Sequence, residues 1–498
     1  MRRMVGMVLA AGLVLLTVGP AGAEETFTFY GSGWGHGIGM SQYGSYGLAQ
    51  DGWGAKKILT HYYRQTDVRT RDAPADRYRI GLLQSRSRVT FTAVGGSIEL
   101  VVGSRVAAHL RAGRSAEVVR RDGRYRVIVG DRRRSYATNG ALIVKRSTGA
   151  VVSVSPWGSS VGRGRLELAA AGASSMHLVA VLGAEAYLRG IAEVPSSWPS
   201  AALQAQAIAA RTYAFRKVAA DPAQRRSGCA CGLYGDTRDQ YYVGWPKEAG
   251  PSGARWVDAV RATRKQIVTY GGKPIPTYYS SSSGGYTEDI ENVWVGASSA
   301  PYLQGVCDPG DYLDANPNRT WSASLGAATV TSRLRSLTGN IGTVTGFSEY
   351  RLGDSGRVRT IRVKGTGGSK VVKGWDVRSA LGLKDTRFRV NQDRNITGRL
   401  RRAYDELMCR PGLARADDVS ITGGKYQVFE TGRLYLNDGR NDVVWLRGPV
   451  LAEYLERGGH GSSLRLPVSL ERTADDGWLG RFEGGTIRCT SSGVCSTT

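Results

Sequence analysis

The chain has 498 residues, enough for about two to four domains of roughly 100 to 200 residues each. Its formal net charge of +25 favours an anionic partner, because a positive surface concentrates polyanions. No apolar run reaches the roughly 20 residues that a membrane-spanning helix requires, so we expect no stable membrane anchor.

Residues 1–23 are predicted to form a cleaved signal peptide. Arg2 and Arg3 precede an apolar run from Met4 to Val18, and the small residues Ala21-Gly22-Ala23 follow it. This order of charged, apolar and small residues is typical of secretory signals. We therefore expect a secreted protein, whose anionic partner is a wall polymer and not a nucleic acid.

Residues 24–66, called here the opening segment, carry glycine at alternate positions, namely Gly31, Gly33, Gly35, Gly37 and Gly39. In an extended chain this spacing would place the intervening side chains on one face, namely Ser32, Trp34, His36, Ile38 and Met40. The bare backbone opposite them would let a sugar ring or another chain approach closely. A tightly packed strand with a buried histidine is the alternative. The Gly-x-Gly-x-x-Gly order of a dinucleotide loop is absent.

The rest of the chain predicts an α+β protein. Short β-rich runs at 78–82, 97–102 and 125–129 indicate a β-rich module over 67–170. Helical periodicity over 184–220 opens a mixed α/β domain over 171–395. The polar, Arg-rich residues 396–420 are predicted to be a linker with a short helix around Leu400 to Leu407. Residues 421–498 form a small, Gly- and aromatic-rich module.

Two helices are predicted on either side of Glu193. Tyr187, Leu188 and Ile191 have helical spacing and indicate a short helix that ends near Ala192. Pro199 suits the first turn of the second helix, with Ser197 or Trp198 as its cap. A stripe of small and apolar residues on the second helix is predicted to pack in the core, namely Leu203, Ala207, Ala210 and Ala214.

Glu193 is therefore a candidate general acid. The C-terminal end of the first helix would raise the pKa of its carboxyl group, and the N-terminal end of the second would lower it. Val194, Pro195 and Trp198 are apolar neighbours that disfavour the ionised form, so we expect a raised pKa. A glutamate that only caps or solvates a helix end is the alternative.

The chain contains six cysteines, at positions 229, 231, 307, 409, 489 and 495. An even number in an exported protein favours disulfides, with Cys489 and Cys495 closing a small loop. Cys229 and Cys231 would alternatively form half of a metal site, which would need His36 or His61 from a distant part of the chain. Disulfides are the favoured interpretation.

Four stretches resemble the sporulation stage II protein D/LytB (SpoIID/LytB) family, also called amidase enhancers. They are GSGWGHGIGMSQYGSYGLA, AEVPSSWPSAALQAQAIAARTYA, SSSSGGYTEDIENVW and APYLQGV. The resemblance spans most of residues 24–395. It implies cleavage of peptidoglycan glycan strands, by lytic transglycosylation in the best-understood members. The glutamate of the Glu-x-Pro-x-x-Trp-Pro run is then the catalytic acid, which is Glu193 in this chain.

Two departures from the family pattern affect these expectations. In many relatives the Gly-Trp-Gly-His-Gly segment closes the catalytic domain, whereas here it precedes that domain. We therefore expect the opening segment to pack against the catalytic domain and to bring His36 near Glu193. Some relatives bind zinc through one His and two Cys, but Cys229 and Cys231 lack that histidine. We predict neither a metal nor another cofactor.

The mechanism implied by the resemblance needs one carboxyl group, with other side chains binding the sugars. The residues predicted to bind sugar hydroxyls and acyl groups are Arg211, Tyr213, Gln240, Tyr242, and Ser281, Ser282, Gly284 and Gly285 of the 281–285 turn. In the opening segment, Trp34 is predicted to stack on a sugar, His36 to orient a hydroxyl, and Gln42 to bind substrate.

The tail resembles LGFP-type wall-associated repeats in GGKYQVFETGRLYL, RGPVLAEYLERGG and GRFEGGTI. This resemblance implies a wall-binding module, although Leu464-Arg465-Leu466-Pro467 replaces the Leu-Gly-Phe-Pro motif.

Two other functions stay open at the level of sequence. In the first, the protein is a non-catalytic wall-binding enhancer of an N-acetylmuramoyl-L-alanine amidase, and Glu193 is structural. In the second, it is a glycosidase with two catalytic carboxylates, drawn from Asp236, Glu248, Glu288 and Asp289. Only the glycosidase would release reducing ends from glycan strands.

Overall fold

A computed structural model describes residues 25–294, 296–392, 394–407, 409–473 and 477–498. The signal peptide predicted at 1–23 lies outside these residues. Helices and several separate β-sheets are mixed along the chain, which confirms the α+β class. None of the described helices is long and apolar enough to cross a membrane.

The elements of the first part of the chain are mostly strands. The opening segment and the strand after it contain β1 (Thr26–Gly31), β2 (Met40–Ser41), α1 (Gln42–Gln50), α2 (Ala55–Tyr62) and β3 (Asp67–Thr70). The β-rich part contains β4 (Tyr78–Arg86), β5 (Arg88–Val94), β6 (Ile98–Val102), β7 (Arg105–Leu110), β8 (Ser115–Arg121), β9 (Arg124–Val129), β10 (Arg132–Ala137), β11 (Leu142–Arg146), β12 (Val151–Ser155), β13 (Ser159–Val161), β14 (Arg165–Ala170) and β15 (Met176–Leu182). The strands predicted at 78–82, 97–102 and 125–129 correspond to β4, β6 and β9.

Helices and short strands alternate in the middle of the chain. Its elements are α3 (Ala184–Arg189), α4 (Ser200–Ala220), β16 (Leu233–Tyr234), α5 (Trp245–Ala249), α6 (Gly253–Ala262), β17 (Gln266–Tyr270), β18 (Lys273–Pro274), β19 (Tyr279–Ser280) and α7 (Ile290–Val293). They continue with β20 (Trp321–Gly326), α8 (Ala327–Thr338), β21 (Val344–Leu352), β22 (Val358–Gly365), β23 (Gly368–Lys373), α9 (Gly374–Leu381) and β24 (Phe388–Val390).

The last part of the chain has two small sheets with a helix between them in sequence. Its elements are α10 (Gly398–Glu406), β25 (Val419–Ile421), β26 (Gly424–Phe429), β27 (Gly432–Asn437), β28 (Asp442–Leu446), α11 (Gly448–Glu456), β29 (Pro467–Arg472), β30 (Trp478–Phe482), β31 (Gly485–Cys489) and β32 (Cys495–Thr497). The LGFP likeness of this part stays a prediction.

Two large sheets and three helices share the main core. One sheet has six strands in the order β10-β9-β8-β5-β12-β13, and the other has seven in the order β16-β4-β15-β14-β11-β6-β7. Buried side chains of both sheets pack with α3, α4 and α6 in one cluster. Because β16 pairs with β4, the boundary predicted at residue 170 does not separate two sheets. The stripe predicted on α4 from Leu203 to Ala214 belongs to this core.

The loop between β1 and β2 corrects the prediction of a one-faced extended strand. Its alternate glycines have φ between +68° and +130°, namely Gly33, Gly35, Gly37 and Gly39. Repeated positive φ turns the chain, so Trp34 is 49% exposed whereas Ile38 and Met40 are fully buried. A Cβ on Gly37 would lie 2.2 Å from Cζ of Arg357, so glycine is also required there by space.

The opening segment packs against the rest of the molecule. Strand β1 lies between β20 and β24, and β2 pairs in parallel with β19, with Met40 opposite Tyr279. Ile38 and Met40 share a cluster with Ala205 and Ile208 of α4. The segment therefore completes a core that α4 begins, as expected for a stretch too rich in glycine to fold alone.

Residues 396–420 are not the exposed linker that their composition predicts. The short helix predicted there corresponds to α10, but Leu400 and Tyr404 are buried with Phe429. A disulfide from Cys409 to Cys307 fixes the end of this region. Polar composition fails as a linker signal here because Arg401 and Asp405 pair with each other inside the structure.

The remaining cysteines also form disulfides, Cys229 with Cys231 and Cys489 with Cys495. The Cys229–Cys231 pair covers Val179 and Val181 of β15, which is buried on both faces. The two histidines that a metal site would have needed have other partners, since His36 Nδ1 accepts from the Ile38 N–H and His61 Nε2 contacts the Cys307 carbonyl.

Candidate active site

Glu193 lies in the loop between α3 and α4, and a short backbone pairing positions it. Ile191 forms a bridge with Tyr242, and the Ala192 N–H donates to the Tyr241 carbonyl over 2.8 Å. The Tyr241 N–H in turn donates to Oε1 of Glu193 over 2.7 Å. The carboxyl group is thus oriented by the backbone of the Tyr241 segment and not by a helix end.

Two further segments supply side chains to this carboxyl group. Gln42 and Tyr279 both form hydrogen bonds with Glu193. Gln42 begins α1, where the Ser41 hydroxyl accepts from the Gly44 N–H at 3.0 Å and caps the helix. Because β2 and β19 are paired, Gln42 and Tyr279 reach Glu193 from adjacent segments of the chain.

Burial raises the pKa of the Glu193 carboxyl group above its ordinary value. The Tyr241 N–H, the Tyr279 hydroxyl, the Gln42 side chain and the positive charge of Lys247 act in the opposite direction. The rise agrees in direction with the sequence prediction, and of the two causes given there, apolar surroundings and a helix end, it is desolvation that raises the pKa. Helix α3 ends at Arg189, so its C-terminal end is not directly behind Glu193.

Gln240 connects the site to buried aromatic residues. It is fully buried, and its amide nitrogen donates to the Tyr279 hydroxyl at 2.8 Å and to the Ala210 carbonyl at 3.2 Å. Its amide oxygen accepts from the Tyr187 hydroxyl at 3.0 Å. Gln240 therefore positions Tyr279, and it is not placed to bind a sugar directly.

Lys247 is a cation beside Glu193. Its ammonium donates to the Val194 carbonyl over 2.5 Å, and the side chain is 8% exposed. Burial lowers the pKa of Lys247 to about 8, and the Glu193 carboxylate acts against that fall. A proton on Lys247 favours the ionised carboxylate, so the two groups influence each other's titration.

Two predicted sugar-binding residues are placed in the core instead, which corrects those predictions. Arg211 is 3% exposed, and its guanidinium pairs with Glu185 at 2.9 Å and donates to backbone carbonyls around it. Tyr242 is 3% exposed, and its ring stacks on Tyr187 and Trp157. The hydrogen-bonding groups of Arg211 are thus occupied within the core, and the burial of Tyr242 leaves little of its side chain accessible to a ligand.

Tyr213 belongs to a second polar cluster. Its hydroxyl donates to Oδ1 of Asp239 over 2.8 Å, and its ring contacts Tyr278. Asp239 also accepts from Lys217 and Arg226, which helps to hold the pKa of its carboxyl group below the ordinary value despite burial. The pKa of this paired carboxyl group is therefore shifted in the opposite direction to that of Glu193.

The 281–285 turn is largely internal. Ser282 is fully buried and donates to Oδ2 of Asp311 over 2.8 Å, while Gly284 and Gly285 have positive φ. The carbonyl of Ser281 accepts from the Tyr43 N–H at 3.0 Å. The turn therefore fixes the start of α1, which carries Gln42. Of the residues of this turn that are predicted to bind sugar, only Ser281 is partly exposed.

Trp34 and His36 have different surroundings. Trp34 pairs with Ser282 through its backbone and leaves its ring exposed, as a sugar-stacking role requires. The His36 ring forms a hydrogen bond with the Tyr279 backbone, so it lies next to the residue that contacts Glu193. Burial and the charge of Arg357 lower the pKa of His36 to about 4, which keeps the imidazole neutral.

The four acidic residues considered for a two-carboxylate glycosidase are engaged elsewhere. Asp236 pairs with Arg238, and Glu248 accepts from Arg163 through both oxygens. Glu288 is fully buried and accepts from the Ser355 hydroxyl, while Asp289 accepts from the Gly305 N–H. Among the residues with described positions, none of these four contacts Glu193.

Sequence reasoning does not single out Tyr279, Lys247 or Tyr241 as site residues. Tyr279 reaches Glu193 through the pairing of β2 with β19, which joins chain segments far apart in sequence. Tyr241 acts through its backbone, which carries no side-chain signal. A weak signal exists only for Lys247, a lone cation directly after Trp245 and Pro246 in a helix start.

Comparison with known proteins assigns the part of the chain that carries Glu193. The family of SpoIID, Stage II sporulation protein, matches residues 172–270. The chain is 30% identical over 226 residues to Stage II sporulation protein D of Bacillus amyloliquefaciens, covering 43% of this chain and 62% of that protein. The protein of the same description from Bacillus subtilis (strain 168) is 31% identical over 217 residues, covering 41% and 59%.

A third relative has a different description. The amidase enhancer of Bacillus subtilis (strain 168) is 34% identical over 133 residues, covering 27% of this chain and 16% of that protein. The chain spans about three fifths of the length of the two sporulation relatives. Residues 172–270 therefore match the SpoIID family, and the chain as a whole is similar to stage II sporulation proteins over less than half of its length.

Proposed function

We propose that the protein cleaves peptidoglycan glycan strands by lytic transglycosylation at the bond from muramic acid to glucosamine. The proposal rests on one observation above all, which is that Glu193 is a partly buried carboxyl group with a raised pKa, held by the Tyr241 N–H and the side chains of Tyr279 and Gln42. A raised pKa favours the protonated carboxyl group, which can donate its proton to a leaving oxygen. A single carboxyl group is sufficient for this reaction.

In the proposed reaction Glu193 protonates the glycosidic oxygen as the bond to C1 of the muramic sugar breaks. The glucosamine end leaves with a free hydroxyl. The 6-hydroxyl oxygen of the muramic sugar then bonds to C1, and its proton returns to Glu193. The product is a 1,6-anhydro end, water is not consumed, and the carboxyl group regains its starting state.

The surrounding residues are given supporting roles. The Tyr241 N–H and the side chains of Gln42 and Tyr279 hold the carboxylate that forms after proton donation. Gln240 keeps Tyr279 in place. Trp34 and the 49% exposed Tyr241 offer aromatic rings on which sugars stack.

Residues 421–498 are proposed to bind anionic wall polymer and to hold the protein on its substrate. Their surface alternates arginine with tryptophan, since Arg447 lies 3.8 Å over the Trp445 ring and 4.9 Å over the Trp478 ring. Aromatic faces and guanidinium groups suit a polymer of sugars and acidic groups. A secreted, wall-associated location is part of the same proposal.

Digestion of purified, peptide-free glycan strands followed by mass spectrometry tests the proposal. We expect new ends that are lighter by one water than reducing ends. Reducing ends would instead indicate a two-carboxylate hydrolase. Intact glycan would contradict cleavage altogether.

The second candidate function is enhancement of a cell-wall amidase without catalysis by this chain. The similarity to the amidase enhancer of Bacillus subtilis favours it. In that case the protein leaves glycan strands intact and increases the rate at which a purified N-acetylmuramoyl-L-alanine amidase releases stem peptides. The same glycan digestion separates the two functions.

The pH dependence of cleavage follows from the raised pKa of Glu193. Activity should fall as pH rises through that pKa, because the general acid loses its proton. Lys247→Met removes the charge that favours ionisation, so the fall in kcat/KM should move to higher pH. Lys273→Met, on an exposed lysine of β18, is the control and should leave the profile unchanged. A profile unaffected by Lys247→Met would contradict the coupling.

Trp34→Ala should weaken glycan binding more than it lowers the melting temperature. Half of the Trp34 side chain is exposed, so its removal costs little core packing, whereas loss of one sugar–aromatic contact should raise Kd for glycan about 10-fold. Val94→Ala removes a similarly exposed apolar side chain on β5 and serves as the control. Unchanged glycan affinity in Trp34→Ala would remove Trp34 from the site.

A further inference from the structure

A narrow cavity of about 50 Å³ lies between the end of β1, β24 and α10. Its lining includes five arginines, namely Arg319, Arg387, Arg389, Arg394 and Arg401. We call it the arginine cavity. Ser32 and Gly284 also line it, whereas Glu193 and the groups that contact Glu193 do not. It is therefore a second site, distinct from the candidate active site.

The positive charge of the arginine cavity is only partly neutralised. Arg319 pairs with Asp314, and Arg401 pairs with Asp405. The other guanidinium groups have no acidic partner among the described residues: Arg387 donates to the Gly284 carbonyl, and Arg389 donates to the Gly356 and Phe388 carbonyls. No described residue of the lining is Asp or Glu.

Arg401 has a donor that nothing in the described structure uses. Its side chain is 5% exposed, Nε donates to both carboxylate oxygens of Asp405, and Nη1 donates to the Gly284 carbonyl. Nη2 is buried and has no hydrogen-bond partner in the described structure. A buried charged donor without a partner is costly, so Arg401 adds an incompletely satisfied positive group to the lining of the cavity.

Burial also disfavours the charged form of two other arginines of the cavity. It lowers the pKa of Arg387 to about 10, with Arg357 and Arg401 nearby adding to the fall. It also lowers the pKa of Arg389 to about 10, with Arg394 and Arg415 adding to it. Mutual repulsion among these groups would be relieved by an anion between them.

We propose that the arginine cavity binds a phosphate group of an anionic wall polymer. Guanidinium groups match phosphate oxygens with paired, parallel hydrogen bonds. The excess of positive charge from Arg387, Arg389 and Arg394 favours a phosphate group, whose oxygens can accept from several guanidinium groups, over a carboxylate with only two oxygens. The cavity would hold a polymer near the candidate active site, since Gly284 belongs to the turn that positions α1.

Binding of phosphate by the arginine cavity does not depend on the proposed catalysis. Only the identification of a wall polymer as the source of the phosphate rests on the proposed function. The first test is therefore binding of inorganic phosphate to the full chain, measured by calorimetry and by the melting temperature. We expect saturable binding that raises the melting temperature, and a much weaker effect of acetate at equal ionic strength. Equal effects of acetate and phosphate, or no effect of phosphate, would overturn the proposal.

Arg394→Gln is the decisive variant, because Arg394 lines the cavity and forms no hydrogen bond within the described structure. We expect it to raise Kd for phosphate about 10-fold, the loss of one charge-assisted contact. Without phosphate the variant should melt at the same or a higher temperature, because one repelling charge is gone. Arg359→Gln, on an exposed arginine of β22 outside the cavity, should change neither property. Unaltered phosphate affinity in Arg394→Gln would overturn the site.

The source of the phosphate is tested by sedimentation with cell walls. Walls that keep their phosphodiester-linked polymers should retain less of Arg394→Gln than of the Arg359→Gln control. Walls stripped of these polymers with hydrofluoric acid should retain both variants equally. Equal retention of the two variants on untreated walls would contradict the wall polymer as the source of the phosphate. The glycan digestion result does not depend on this outcome, so failure here is distinguishable from failure of the proposed catalysis.

Discussion

Glu193→Gln should lower the rate of glycan cleavage on the order of 100 to 10,000-fold, the usual range for loss of a general acid. The amide cannot donate a proton to the leaving oxygen, yet its oxygen can still accept from the Tyr241 N–H. Because the pKa of Glu193 is raised, the neutral amide resembles the protonated state that burial favours. The melting temperature and the affinity for glycan should therefore stay close to those of the wild type.

Glu99→Gln is the control, since Glu99 is a partly exposed glutamate on β6, away from Glu193. It should cleave glycan at the wild-type rate. Wild-type turnover in Glu193→Gln would contradict the assignment of the catalytic acid. If the wild-type protein leaves glycan intact but activates an amidase, and Glu193→Gln activates it equally, the enhancer function is correct and Glu193 is structural.

Arg357→Ala should lower the free energy of unfolding by about 3 to 5 kcal/mol, the cost of breaking a buried ion pair on one side. Arg357 is 2% exposed and Asp385 is fully buried, and two parallel hydrogen bonds of 2.9 and 3.0 Å join them. The guanidinium also donates to the carbonyls of Ser283 and Tyr286. The substitution leaves the Asp385 charge without its partner and frees the 283–286 turn.

The measurement is chemical unfolding, with Arg359→Gln as the matched control. Arg359 lies two positions further along the chain, in β22, and its side chain is exposed. Its substitution should change the free energy of unfolding by less than about 0.5 kcal/mol. The double variant Arg357→Met with Asp385→Leu should recover part of the loss, because neither charge remains buried. A loss in Arg357→Ala as small as in the control would show that the pair is not required.

The role of Arg357 also explains why the opening segment is so rich in glycine. The loop passes so close to the guanidinium that any side chain at Gly37 would collide with it, and a side chain at Gly39 would collide with the Tyr278 carbonyl. The spacing of the glycines predicts one bare face of a strand. Spacing alone does not distinguish that arrangement from a series of left-handed turns, since both need glycine at alternate positions.

Local patterns of the sequence predicted the secondary-structure elements that depend mainly on neighbouring residues along the chain. The short strands around 78–82 and 125–129, the packing stripe of α4 and the helix at Leu400 follow from periodicity and turn residues. The sequence also determined the Glu193 run and its likeness to the SpoIID family.

Only the tertiary structure decided which residues surround Glu193. Gln42, Tyr279, Lys247 and the Tyr241 N–H come from four separate stretches, brought together by the pairing of β2 with β19 and of Ile191 with Tyr242. Long-range packing also buries Arg211 and Tyr242 in the core. It places residues of the polar stretch around α10 in the lining of the arginine cavity. The physical reason is that burial and charge pairing depend on distance in space, whereas periodicity reports only on neighbours along the chain.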